Sequence, residues 1–401
     1  MDQSQTRSEQ ASLSLREPEG AAYSSDQTRA HALRPVAGGK APLTLVRTGL
    51  TFARPDEGVP AVWGEAIEAL TQELGIEADW VANGSSETLL QKARRAVGAG
   101  SQVQAPIFAP WRVTSPTLFQ TGQPFEAATG AKWVASYLFD FGPACSANGG
   151  SVDVALMSPC PEVCVSDDAQ IGALPRLSVL AEMMRAAAAQ GRTNLAVVVR
   201  EAARATLATR LLGFDMSLNA LPLEVEFISI EEAVMDIQSG AFDWDAVMAM
   251  PDLRGIVFAM LAQNAGVSGA WPMLWFDRGQ ALRLVTREAL TGVGVGANQS
   301  SQLDATALLQ ALSLLARHTG HQYAARRFYE SWAAMRERGI VTALRGSSAP
   351  YVNQIDEAAY IDQAIRDPAS QKRPLPSWKG LAGGESDARK AEPTVRLSLV
   401  T

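Results

Sequence analysis

Residues 243–272 read DWDAVMAMPDLRGIVFAMLAQNAGVSGAWP. An apolar strand runs from Ala246 to Met250 and meets a turn at Pro251–Asp252. A helix follows from about Gly255. In α/β proteins such hand-overs, at the carboxyl ends of strands, are where reactive side chains are placed. Here the opening turns of the helix carry Gly255, Ile256, Val257, Phe258 and Ala259. None of these side chains can bind a metal or move a proton. The segment has the outline of a site without the groups that would make it work.

The same alternation continues on both sides. Apolar runs of strand length lie at 43–47, 103–108, 152–157, 195–200, 224–230, 244–250 and 281–287. Helical patterns lie at 59–74, 86–97, 176–189, 201–213, 231–239, 255–264, 303–318, 322–338 and 356–366. In the first helix Val59, Val62, Ala66, Leu70 and Leu74 recur at three and four, which predicts one apolar face, with Gly75 as a left-handed cap. In the seventh the stripe is Leu308, Leu312 and Leu315, capped at Gly320. Strands alternating with helices predict an α/β fold in which helices cover a largely parallel sheet.

The 401 residues suffice for one large or two modest domains with a real core. Net charge is −7, which argues against nucleic acid as the main partner, because phosphate binding needs clustered Lys and Arg. No apolar run reaches the roughly 18 residues of a membrane span. The N-terminus lacks the apolar core of a signal peptide, and three cysteines cannot form a disulfide framework, so a reducing cytoplasm is expected. Cys160 and Cys164, in PCPEVC, offer a metal or redox pair only if other ligands join them; none lies nearby in sequence. Residues 1–40 and 367–401 read as tails. The second tail holds RPLPSW, with Trp378 as an anchor, and VRLSLVT, whose alternation around Leu397 and Leu399 suits addition to a sheet edge. Both are candidate docking segments for a protein partner; plain chain ends are the alternative.

The order of these pieces resembles the isocitrate/isopropylmalate dehydrogenase family, the decarboxylating dehydrogenases of 2-hydroxy acids. The resemblance spans roughly residues 43–366. It rests on EGVPAVWGEAIEAL (57–70), SSETLLQKARRA (85–96), ASYLFDFGPA (135–144), AVVVREAARATL (196–207), the 244–272 strand and helix, and REALTGVGVGANQSSQLDATALLQALSLLARHTG (287–320). It implies two α/β lobes around a central cleft, a large one from 41–137 plus 266–366 and a small one with the dimerisation region from 138–265.

Oxidative decarboxylation of a 2-hydroxy acid needs a hard divalent cation, a proton-handling pair and cations for the substrate carboxylates. The family's two aspartates on one helix fall on Gly255 and Ala259, and its third on Glu231, the only carboxylate kept. Asp252 is a candidate substitute, on a different face of the helix. The family lysine falls on Glu201 and the asparagine after it on Ala203; a slip of one residue brings Arg200, a poor proton shuttle. The family tyrosine falls on Val165. Two substrate arginines fall on Gly142 and Ser158, and Lys132 stands near a third. The adenosine loop retains Gly292, with Gly294, Gly296 and the upstream Glu288; a plain flexible loop is the simpler reading of those glycines.

Only ten residues separate Val165 from Arg176, too few for the arm with which family members clasp a partner subunit. Met235, Ile237, Ile256, Phe258 and Met260, on helices 231–239 and 255–264, are the expected dimer interface. The expectation is therefore a catalytically silent family member without cofactor or metal. It would serve as a regulatory or structural protein, as a homodimer or as the heteromeric partner of an active relative. An active NAD(P)-dependent dehydrogenase with rewired residues and a small-molecule sensor using the former cleft are the alternatives.

Overall fold

The computed structural model describes residues 50–53, 61–76, 78–81, 106–114, 129–140, 152–168, 171–265, 270–289, 304–342, 352–366 and 397–399. The first part of the chain contributes β1 (Leu50–Ala53), α1 (Val62–Glu73), β2 (Ala78–Val81), β3 (Ile107–Thr114), β4 (Trp133–Asp140) and β5 (Val152–Pro159). A hairpin of β6 (Cys164–Asp168) and β7 (Gly172–Pro175) follows, then α2 (Leu177–Ala189), β8 (Asn194–Val199), α3 (Glu201–Phe214), β9 (Glu224–Ser229), α4 (Ile230–Ser239), β10 (Ala246–Ala249) and α5 (Arg254–Ala265). The rest comprises β11 (Trp271–Phe276), β12 (Leu282–Glu288), α6 (Ala305–His318), α7 (Gln322–Glu337), β13 (Ile340–Thr342), β14 (Asn353–Ile355), α8 (Glu357–Arg366) and β15 (Leu397–Leu399). The expected strand 43–47, the expected helix 86–97 and, apart from β15, both tails lie outside the described residues.

One sheet organises the chain, in the order β15-β9-β8-β10-β5-β4-β11-β12-β3-β1-β2. Both wings are parallel, as the strand–helix alternation predicts. The middle is not: β4 is antiparallel to β5 and β11, and β11 to β12. Neither β4 nor β11 is legible as a strand in the sequence. Both are buried almost throughout, which removes the polar alternation that betrays a half-exposed strand. Pro272 further argues against a central strand; it pairs only with Arg287 of β12, and the register with β4 begins at Met273. Strands from the expected small lobe (β5, β10, β8, β9) fill one side of β4, and strands from the expected large lobe fill the other.

Helix faces differ from the expected stripes in two places. On α1 the buried set is Trp63, Ala66, Ile67, Leu70 and Thr71, while Val62 is exposed. The bulkier Trp63 and Ile67 turn the helix about one position from the predicted face. On α6 every residue from Ala305 to Arg317 is buried, not a stripe alone. This helix packs on the sheet over β3, β11 and β12 and is covered by α7. The predicted left-handed caps are present at Gly75 (φ 62°) and Gly320 (φ 84°). The short connection after Val165 is the β6–β7 hairpin, a two-stranded sheet of its own.

Candidate functional site

Because β8 pairs in parallel with both β9 and β10, three strand-to-helix junctions lie side by side along one edge of the sheet. They carry Arg200 and Glu201 (β8 to α3), Ser229 and Glu231 (β9 to α4), and Asp252, Arg254 and Gly255 (β10 to α5). This is the edge where the sequence points to chemistry.

Asp252 and Arg200, the two candidate substitutes for missing family groups, meet each other. The Arg200 Nε and Nη2 donate to Asp252 Oδ2 at 2.9 and 2.6 Å, at the surface. Glu201 and Glu231 are exposed, and Gly255 and Ala259 are half-buried on α5 without donor atoms. Among the described residues no group of three His, Cys, Asp or Glu side chains converges on a point where a metal could sit. A divalent cation does not fit the donor set described: it needs several oxygens at once, and the Asp252 carboxylate on this edge is engaged by the Arg200 guanidinium. Val165, at the family tyrosine position, is exposed on the β6–β7 hairpin.

The most consequential residue here is one the resemblance does not mark. Arg254 opens α5 and is completely buried. Its Nε donates to Glu288 Oε1 at 3.1 Å, and its Nη2 to Glu288 Oε2 at 2.6 Å and Ser136 Oγ at 2.7 Å. Its Nη1 donates to the Leu156 carbonyl at 3.2 Å and to Ser158 Oγ at 3.1 Å. A guanidinium has five N–H groups, and each has an acceptor here. The two serines complete the set: Ser136 Oγ donates to Glu288 Oε2, and Ser158 Oγ donates to the Ala249 carbonyl at 2.8 Å. A cation thus does reach Ser158, where the resemblance implies a substrate arginine, but it comes from α5 and all its donors are taken. Glu288, expected upstream of a cofactor loop, is the counter-ion of this arginine. Gly292, Gly294 and Gly296 lie outside the described residues. The available signal in the sequence is the Arg in PDLRGIV, between an apolar strand and an apolar helix turn, since a charge in such a segment is kept when it is paired.

The PCPEVC cysteines sit beside this region. Cys160 is buried, and the half-buried Cys164 Sγ donates to its carbonyl at 3.6 Å. Burial foremost, then the charges of Asp252 and Glu162, push the Cys164 thiol up to about 12, and burial raises Cys160 as well. Both are thiols at neutral pH, unsuited to nucleophilic or metal chemistry.

The expected interface residues divide. Met235 and Ile256 are exposed at 68% and 50%, and Met260 is half-buried. Ile237 and Phe258 are fully buried in the chain's own core, so they support the face from within and offer nothing to a second subunit. Helices α4 and α5 are joined by Asn264 Nδ2 donating to the Ile237 carbonyl at 2.8 Å. Of the tail residues, Trp378 lies outside the described residues. Leu397 and Leu399 are not free for another protein in this structure: they form β15, paired to β9 of the same chain.

No protein-family model and no curated protein matches the chain. Solved structures do. The isocitrate dehydrogenase from Methylococcus capsulatus is similar with a TM-score of 0.52 and 13% identity, covering 79% of this chain and 98% of that one. The TT0538 protein from Thermus thermophilus is similar with a TM-score of 0.53 and 15% identity, covering 82% of this chain and 70% of that one. At such identities the likeness is one of fold: the chain has an isocitrate dehydrogenase-like α/β architecture.

Proposed function

We propose that this chain is a non-catalytic homologue of the decarboxylating 2-hydroxy-acid dehydrogenases that works by association with protein, as a homodimer or as the companion of an active relative. On this view the halves of the sheet on either side of β4 are two lobes around the former cleft. The observation that carries the proposal is the saturation of Arg254. A substrate carboxylate needs an open cation, and this one has every N–H committed to Glu288, Ser136, Ser158 or the Leu156 carbonyl. The exposed pair Arg200–Asp252 adds to the case, since it engages the carboxylate that was the candidate substitute for the family's helix aspartates. The exposed Met235 and Ile256, on neighbouring helices, supply an apolar face suited to a second subunit.

The test has two arms. Reduced-cofactor absorbance is followed with isocitrate, isopropylmalate and tartrate in the presence of NAD or NADP and Mg²⁺, alongside calorimetry with each cofactor. Silence in both is expected; Mg²⁺-dependent turnover would return the chain to the active dehydrogenases. Light scattering on the eluting protein is expected to give a dimer when it is alone, and a monomeric mass at micromolar concentration counts against self-association.

A further inference from the structure

The sheet ends, beyond β9, in the chain's own C-terminal strand. β15 runs parallel to β9, with Leu397 opposite Val225, Ser398 opposite Glu226 and Leu399 opposite Phe227. It is the outermost strand, so the edge of β9 that it covers would otherwise present unpaired N–H and C=O groups. The cover is partial: β9 runs from Glu224 to Ser229, and β15 pairs with only three of those residues. The tether is long. Helix α8 ends at Arg366, and residues 367–396, thirty in number, separate it from β15. Thirty residues can span at most about 100 Å, so the same segment can reach the β9 edge of a neighbouring copy as well as its own. Pairing over three residues is a weak hold, and closing a thirty-residue loop opposes it.

We propose that the outer edge of β9 is an acceptor site for an extended peptide, that its ligand is the C-terminal segment VRLSLVT (395–401), of which Leu397–Leu399 pair with β9 of their own chain, and that it can be exchanged for the same segment of a second copy. The chemistry fits on two counts. The register sets Leu397 and Leu399 against Val225 and Phe227, both buried, and Ser398 against the half-buried Glu226. The segment carries Arg396 and no acid, whereas β9 contributes Glu224 and Glu226. Main-chain pairing with pockets for alternate side chains is the general mode of strand addition. The inference rests on this pairing and is independent of whether the former cleft is silent.

The experiment uses a fluorescently labelled peptide of residues 394–401 and anisotropy. Two proteins open the site: the chain ending at residue 394, and the full-length chain with Ser398→Pro and Leu399→Pro. Successive N–H groups of a strand point to opposite sides, so one of the two prolines must strip a ladder hydrogen bond. Saturable binding to both opened proteins is expected, at least tenfold weaker binding to the unaltered chain, whose tethered strand competes, and none of the doubly proline-substituted peptide. Absence of binding to both opened proteins overturns the proposal. So does equal binding to opened and unaltered chains, or equal binding of the proline peptide.

Discussion

At the scale of single residues, Arg254 and Glu288 matter most. Each is buried, and each satisfies the other, so the pair is tolerable only while complete. Glu288→Gln keeps the shape but leaves an uncompensated guanidinium inside the protein. A loss of about 3–5 kcal/mol in urea unfolding is expected; a loss below about 1 kcal/mol would show that water or another group can stand in for the carboxylate. His318 gives a pH signature. It is half-buried, with its ring edge-on to Phe276 at a centroid distance of 5.3 Å. Desolvation, and then the neighbouring Arg317, depress its pKa from 6.5 to about 3. The unfolded chain therefore binds this proton before the folded one does. The stability linked to neutral His318 is present above pH 6.5 and is lost as pH falls towards 3. Melting temperatures of His318→Phe are expected to fall less steeply between pH 7 and 5 than those of the unaltered chain.

At the scale of elements, α4 begins with a reciprocal cap. Ser229 Oγ accepts from the Glu232 N–H at 3.1 Å, and the Ser229 N–H donates to Glu232 Oε2 at 2.9 Å. Arg204 of α3 then donates to the same carboxylate, tying two helices together. Ser229→Ala is expected to cost about 1 kcal/mol, read by denaturant midpoint. The hydrogen bond from the Ser229 backbone, followed by the Arg204 charge, holds the Glu232 carboxyl below its ordinary 4.5. Its contribution is therefore complete above that value and is lost as pH falls through the depressed one, so Glu232→Gln should flatten the acid limb of the stability curve. The motif SIEE (229–232) makes such a cap legible, because Ser followed three residues later by Glu is a local pattern. The buried face of α1 is less so, and the total burial of α6 is not, because both depend on what lies above and below the helix. Strands β4 and β11 escape for the same reason. β4 is held at its end by Asp140, which accepts from Arg336 Nε of α7 at 2.7 Å with both side chains buried, a contact spanning 196 positions.

At the scale of the whole molecule, the proposed association through α4 and α5 can be tested apart from folding, because Met235 and Ile256 are exposed and Phe258 is buried. Met235→Asp with Ile256→Asp is expected to convert a dimer to a monomer without lowering the melting temperature by more than a few degrees. Phe258→Asp, which buries a lone carboxylate in the core, should unfold the chain outright. Loss of structure in the surface pair would show that the face is internal, and a dimer that survives would move the interface elsewhere. The α/β class, the positions of most helices and strands, the terminal caps and the absence of donor atoms at Gly255 and Ala259 were all determined by the sequence alone, because periodicity, glycine conformation and side-chain chemistry are local properties. Only the tertiary structure decided that Arg254 is paired with Glu288, that Arg200 holds Asp252, that Ile237 and Phe258 face inward and that the C-terminal segment closes its own sheet. Those outcomes come from strands and helices distant in the chain being brought within hydrogen-bonding reach, and no run of neighbouring residues encodes which of several charges will meet.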